Sequence, residues 1–452
     1  MNTILLIPTG EGVGLTSACL GMIYALDCKG INAGFLKPFS QLADAAVDRT
    51  ATLYRHLFQH QSVEPITYEK LTQLLGSGET DELLEEAVAL HRKISAHHDV
   101  IIVEGLVPNG QDHFAGEINA ALAQALDAQV VLVSTADLAD PRKTAEKVDA
   151  HLRQFGGAAS TRTTGVLFMR TKGLPDGTAA IPVTLDPSLR LDKQIAEFSI
   201  QLQRYNRFIG TDELPIIGLV PFSNILSVPR SLDIATVVNG TWLNEGEAKQ
   251  RRILHTSLIA SDIEAELHKF VAGELIISAS QRTDALLAAS LASSNGIPLA
   301  GLVLTEQAAP AANILEFCQG AIKQGLPILH TSLDTLETAQ RLYHFGNEIP
   351  VDDIERAEQV TRFVSSHIDN NWLDQHTQNN LNPRLSPSAF RYELVQKSKK
   401  KKKRIVLPEG DEPRTVQAAA ICQSRGIAEC ILLAKPEAVA EVAKARGIQL
   451  PS

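Results

Sequence analysis

The stretch that most constrains the fold runs from Thr3 to Thr16. An apolar strand, TILLIP (Thr3 to Pro8), leads into the glycine-rich turn TGEGVGLT (Thr9 to Thr16), and a helix follows from about Ser17 to Lys29. Strand, close-spaced glycines and helix together make a cradle in which backbone N–H groups and the positive helix end converge on an anion. Later runs supply the rest of a sheet: Ala33 to Lys37, Val100 to Val103, Val130 to Val133, Gly165 to Met169 and Ile216 to Val220. Most are nearly continuous apolar segments, as parallel strands covered on both faces require. Between them, Thr80 to His97 places Leu83, Leu84, Ala87, Val88, His91 and Ile94 on one helical face. Its acids fall in the first turn and its bases near the end, which suits the helix dipole.

The loop departs from the phosphate-binding pattern G-x-x-x-x-G-K-[ST] at two positions. Thr9 stands where the first glycine belongs, and Leu15 stands where the lysine belongs. An isobutyl group replaces the principal cation facing the phosphates, so nucleotide hydrolysis or ligase chemistry is disfavoured. Gly10, Gly12, Gly14 and Thr16 remain as a candidate anion- or nucleotide-binding loop, because the backbone nest and helix dipole do not depend on the lysine. The alternative is a structural or regulatory relic. The motif order resembles the dethiobiotin synthetase and cobyric acid synthase group, in the loop, FLKP (Phe35 to Pro38), VEGL (Val103 to Leu106) and GLVP (Gly218 to Pro221). That resemblance implies a magnesium-holding role near Glu104 and leaves Thr16 in the magnesium-ligand position. Without the loop lysine, Glu104 is read rather as a helix-dipole partner than as a metal ligand, and Lys37 rather as a solvated or ion-paired residue than as a distant stand-in for the missing cation.

A chain of 452 residues holds two to four domains and can bury sizeable cores. Its net charge of -10 argues against a general nucleic-acid or anionic-membrane binder. The five cysteines (Cys19, Cys28, Cys318, Cys422, Cys430) are scattered, without a CxxC or a His/Cys zinc spacing, and read as thiols in a reducing compartment. No HExxH occurs, so no metal site is expected. Without a signal-peptide pattern or an uncharged apolar run of about 18 residues, the expectation is a cytoplasmic protein with no membrane partner.

A second α/β unit is expected over residues 225–345, with strands at Arg252 to Ile259, Glu274 to Ala279, Ala300 to Thr305 and Pro327 to Thr331. Helices fall at about Asp284 to Asn295, closed by the Asn295-Gly296 cap signal, and at Ala311 to Lys323. This region resembles the DRTGG domain, with Ser280-Gln281-Arg282-Thr283-Asp284 at the motif position. Arg282 and Thr283, at a helix start, are candidates for a small anionic effector; Arg282 paired with Asp284 is the other reading. Residues 346–390 read as a helix (Val351 to Asn370) and then a polar linker (Asn371 to Ser388). The run KSKKKKKR, Lys397 to Arg404, reads as a solvated turn closing a helix rather than a nucleic-acid patch.

The last part carries the second resemblance. KRIVLPEGDEPRTVQAAAICQSRGIAECILLA, Lys403 to Ala434, is similar to the opening of the phosphotransacetylase catalytic domain, and Leu385 to Leu394 to the segment leading into it. The resemblance extends over the whole chain and implies four parts. These are a P-loop-like parallel-sheet domain (1–222), a DRTGG-type α/β domain (225–345), a helical connection (346–390) and an incomplete phosphate acetyl/butyryl transferase domain (391–452). It further implies conversion of acetyl-CoA and phosphate to acetyl phosphate and CoA, with no cofactor required, in a homo-oligomer. The residues usually given the chemistry are expected beyond Ser452, so the chain alone is expected to be inactive. Glu409 and Arg414, in the turn after the buried strand Ile405 to Leu407, are expected to line a cleft. The competing reading is a stand-alone regulatory ligand-binding protein built from the first two domains.

Overall fold

The computed structural model describes residues 2–41, 48–110, 113–157, 162–174, 187–346, 348–377, 386–446 and 448. The chain divides into two compact units: residues 1–171, 186–220 and 361–452 form one, and residues 172–185 and 221–360 the other.

In the first unit the elements run β1 (Asn2–Pro8), α1 (Leu15–Asp27), β2 (Ala33–Leu36), α2 (Arg49–Phe58), α3 (Tyr68–Gly76) and α4 (Thr80–Ser95). Then come β3 (Val100–Glu104), α5 (Ala115–Ala125), β4 (Gln129–Asp137), α6 (Pro141–Leu152), β5 (Thr163–Lys172), α7 (Pro187–Gln203) and β6 (Ile216–Pro221). The six strands form one sheet in the order β2-β3-β1-β4-β5-β6. β1 is parallel to both neighbours, pairing Leu6 with Glu104 on β3 and with Val131 on β4. Buried on all seven residues, it is the apolar strand that the sequence pattern calls for at a sheet centre. α1 begins at Leu15, earlier than the expected Ser17, because Gly14 takes the left-handed conformation (φ 87°) at the N-cap and turns the chain directly into the helix.

The second unit contains α8 (Ile234–Val237), β7 (Thr241–Asn244), β8 (His255–Leu258), α9 (Ile263–Glu266), β9 (Glu274–Ala279) and α10 (Thr283–Ser294). It continues with β10 (Gly301–Thr305), α11 (Ala312–Phe317), α12 (Gln319–Lys323), β11 (Ile328–His330) and α13 (Thr335–Tyr343). Its sheet has the order β7-β11-β10-β9-β8, with β8 to β11 parallel and β7 antiparallel at the edge. Two apolar layers cover this sheet, one built on Leu286, Leu302 and Leu304, the other on Leu275, Val303 and Leu329.

α14 (Ile354–Ser365) falls within the expected helix, whereas α15 (Asn370–Thr377) stands where the linker is expected. Asn371 onward reads as polar linker, yet Trp372 and Leu373 are buried, and Trp372 Nε1 donates to Thr164 O at 2.8 Å. Two large apolar side chains in a polar stretch outweigh its average composition. Here the chain returns to the first unit: Ile368 bridges to Gly218 on β6, and Asp369 N donates to Ile217 O at 2.7 Å. Gly218 leaves room for this return, since a β-carbon there would lie 2.5 Å from His367 O. Residues 378–385, most of the remaining expected linker, fall outside the described residues.

α16 (Pro387–Lys400) is held against α4 of the same unit by charge. The buried Glu85 forms ion pairs with Arg391, 3.2 Å from its Nε, and with Arg425; Arg391 reaches Asp81 at 2.6 Å, and Arg92 pairs with Glu393 at 2.7 Å. After it, β12 (Lys403–Leu407), α17 (Pro413–Ser424), β13 (Ala428–Leu432) and α18 (Pro436–Arg446) form a parallel two-stranded β-α-β-α unit. The strand expected to be buried is not: Ile405 is 45% and Val406 53% exposed, because two strands flanked by two helices do not cover both sheet faces. Lys397, Lys399 and Lys400 lie in the last turn of α16, where cations suit the helix C-terminus. No helix among the described residues is long and apolar enough to cross a membrane.

Two outcomes follow. Gly218→Ala must push the backbone at His367 away from β6, and urea unfolding should show a loss of about 1–3 kcal/mol. His91 of α4, whose ring meets Thr3 Oγ1 at 2.9 Å, has its pKa lowered from 6.5 to about 4 by burial and then by Arg92. The unfolded chain therefore takes up that proton first, and stability should fall as pH drops from about 6.5 towards 4, by roughly 2–3 kcal/mol from this group. In His91→Gln that contribution to the pH dependence of the unfolding midpoint should vanish.

Candidate functional site

The glycine-rich loop leaves β1 at the sheet centre and meets the N-terminus of α1. Gly12 (φ 66°) and Gly14 (φ 87°) both occupy the left-handed region, which a side chain would strain. Thr9, in place of a glycine, is buried; its hydroxyl donates to Ser134 Oγ at 2.8 Å and its N–H to Val133 O at 2.9 Å. Thr9 therefore fastens the loop to β4. Leu15 is buried too, so the side chain at the lysine position joins the core instead of facing an anion.

Cations approach the loop from other elements, which sequence spacing did not reveal. Lys147 of α6 brings its Cε to 4.0 Å from where a β-carbon on Gly10 would stand, and its Nζ donates to Thr135 Oγ1 at 3.2 Å. Burial, and then the neighbouring Lys143, lower its pKa from the ordinary value. Arg170 of β5, itself at φ 51°, donates from Nη1 to Gly12 O at 3.1 Å.

Beneath the loop lies a buried charged cluster. Lys37, just past β2, places Nζ 2.8 Å from Asp48 Oδ2 and 2.8 Å from Glu104 Oε1. Both carboxylates are buried, and Glu104 Oε2 has no hydrogen-bond partner among the described residues. Burial alone would lower the Lys37 pKa, but the charges of Glu104 and Asp48 outweigh it and hold the ammonium above its ordinary range. Asp48 also caps α2, accepting Ala51 N at 3.0 Å through Oδ1, and Thr50 Oγ1 meets Thr16 Oγ1 at 2.8 Å. Cys19, one turn after Thr16, is fully buried; burial and then Glu104 raise its thiol pKa well above the usual value. Lys37 and Glu104 thus meet directly, while Thr16 is seen against Thr50, two residues after Asp48. Asp48 was missed, although an aspartate just before a helical run is an N-cap signal.

The other candidates stand apart from this cluster. Arg282 donates to Asp284 (2.9 and 2.8 Å) and to Ser261 O at 2.8 Å, the ion-paired alternative, while Thr283 opens α10. Glu409 is exposed, and the Arg414 side chain is 93% exposed, 3.3 Å from Glu412 Oε1. Glu412 caps α17, accepting Thr415 N at 2.9 Å. Among the described residues, then, Glu409 and Arg414 lie on an open surface.

Fold and loop define a multidomain α/β protein of the P-loop type with a degenerate loop. Family models match in three consecutive stretches: "AAA domain" over residues 2–230, "DRTGG domain" over residues 233–345 and "Phosphate acetyl/butaryl transferase" over residues 389–451. The chain is 74% identical over 451 residues to a phosphate acetyltransferase of Acinetobacter baylyi, and 41% identical over 453 residues to that of Pseudomonas aeruginosa. It is 37% identical over 456 residues to the phosphate acetyltransferase of Escherichia coli. These alignments cover 100%, 100% and 99% of this chain but 63% of each relative, so the chain spans less than two thirds of their length. The chain belongs to the phosphate acetyltransferase family.

Removing the Lys37 charge tests the cluster. Lys37→Met leaves two carboxylates buried without a counter-ion and should cost about 3–5 kcal/mol in urea unfolding. Adding Glu104→Gln should return part of that loss.

Proposed function

We propose that the protein is an acyltransferase that converts acetyl-CoA and phosphate to acetyl phosphate and CoA in the cytoplasm, as a homo-oligomer and without a metal cofactor. The observation that carries this is the 74% identity to a phosphate acetyltransferase along the whole of the chain. The transferase segment, residues 389–451, lends support. In this reaction phosphate attacks the thioester carbonyl; catalysis needs a cation to position the phosphate and a carboxylate to handle the thiol proton. The test is an assay of acetyl-CoA and phosphate with this chain beside a version extended to the length of its relatives. Acetyl phosphate formed by the extended protein is the expected result; its absence there would sink the reading.

For the first unit we propose a regulatory role in which Gly10 to Thr16 bind a small anion. The two left-handed glycines and the approach of Lys147 favour it. Arg282 and Thr283 remain a second, weaker candidate for such an effector, since Arg282 is already engaged by Asp284. Titration with inorganic phosphate should show binding that weakens in Lys147→Ala. Equal binding by both proteins would remove Lys147 from the site, and no binding by either would remove the loop.

A further inference from the structure

P-loop folds imply a divalent cation beside the bound phosphates, yet the residues beneath this loop do not fit one. Asp48 and Glu104 are the two acidic groups in place, and the Lys37 ammonium lies 2.8 Å from an oxygen of each. A magnesium ion would sit about 2.0–2.1 Å from carboxylate oxygens, inside the volume that the ammonium fills. Lys37 is tied from both sides and largely buried, so it is part of the packed interior and not a surface arm. Among the described residues, no group of three or more His, Cys, Asp or Glu side chains is placed to hold a metal ion. Thr16, the hydroxyl that would complete a magnesium shell, is turned to Thr50 at 2.8 Å. Asp48 Oδ2 and Glu104 Oε2 have no hydrogen-bond partner among the described residues, so the Lys37 ammonium holds this pair of carboxylates chiefly by charge.

We propose that Lys37 is a built-in cation in the position of the metal, and that the loop above it takes a small phosphate or carboxylate anion without a divalent ion. The ligand class is therefore free inorganic or organic anions and not metal–nucleotide complexes. The second half of this statement rests on the anion reading of Gly10 to Thr16, whereas the first half does not. Charge balance gives the same answer. One ammonium against two carboxylates leaves the buried cluster at one net negative charge. The cation near the loop is then Lys147, whose Cε lies 4.0 Å from a β-carbon position on Gly10, whereas Arg170 Nη1 is engaged by Gly12 O. With Leu15 in the core, no lysine of the loop itself competes for that anion.

The experiment measures Mn²⁺ uptake by loss of the free-ion electron paramagnetic resonance signal for the wild-type chain, and, because ATP itself binds Mn²⁺, the run with ATP is read against the same ATP without protein. The expected result is no loss of signal attributable to the protein in either case. Stoichiometric uptake by the wild type would overturn the proposal. Lys37→Ala should gain Mn²⁺ binding through Asp48 and Glu104, and adding Glu104→Gln should abolish the gain. A folded Lys37→Ala protein, judged by circular dichroism, that takes up no Mn²⁺ would also overturn it. If Lys37→Ala does not fold, the wild-type Mn²⁺ measurement decides alone. Phosphate titrations in EDTA and in Mg²⁺ should give the same affinity, and tighter binding in Mg²⁺ would count against the proposal. Failure to bind phosphate under either condition would defeat the loop reading, while the Mn²⁺ measurement would still judge Lys37.

Discussion

A single ammonium between two buried carboxylates is the constraint on which the first unit depends. Lys37 comes from the end of β2, Glu104 from the end of β3 and Asp48 from the cap of α2, so three separate elements close on one charge. Burying two like charges side by side is untenable without it, and the Coulomb attraction repays desolvation only while all three stay in register. That register comes from the sheet. β3 places Glu104 opposite Leu6 of the central strand, directly before the loop. The loop thus stands on a charged footing and not on the apolar floor that the strand pattern alone suggests.

Much of the fold was legible because its signals are local. Continuous apolar runs located the strands of the first sheet, and amphipathic periodicity located α4 almost to the residue. The loop was legible as a loop, and Leu15 as a departure from pattern. What the sequence concealed depends on contacts between distant residues. The approach of Lys147 and Arg170 exists only once α6 and β5 are packed beside β1 and β4, across more than a hundred residues of chain. Trp372 and Leu373 were masked by polar neighbours, since a linker and a short docked helix have the same average composition. For Ile405 and Val406 the error ran the other way. β-favouring residues predict a strand correctly, but burial depends on how many strands lie alongside.

Charge organises the later part of this unit as it does the site. Glu85, on the buried face of α4, meets Arg391 of α16 and Arg425 at the end of α17. One carboxylate thereby ties the helix before the transferase segment, and a helix inside it, to the same element. The surrounding pairs, Arg391 with Asp81 and Arg92 with Glu393, are more exposed and contribute mainly to orientation. The lysines after this helix, Lys401 and Lys402, are exposed.

The return of residues 366–377 to β6 has a consequence for dissecting the gene. Gly218 accepts the backbone at His367, Thr164 receives Trp372, and Lys29 pairs with Asp374 at 2.8 Å. A fragment cut where the sequence motifs end, near residue 222, would lack a wall of its own sheet. It would present unmet backbone carbonyls at Thr164 and Ile217, where Trp372 Nε1 and Asp369 N donate in the whole chain, and would leave the site of the buried Trp372 open. Supplying residues 361–377 as a separate peptide should fill that site, so the first unit is best regarded as a two-piece assembly whose halves happen to share one chain.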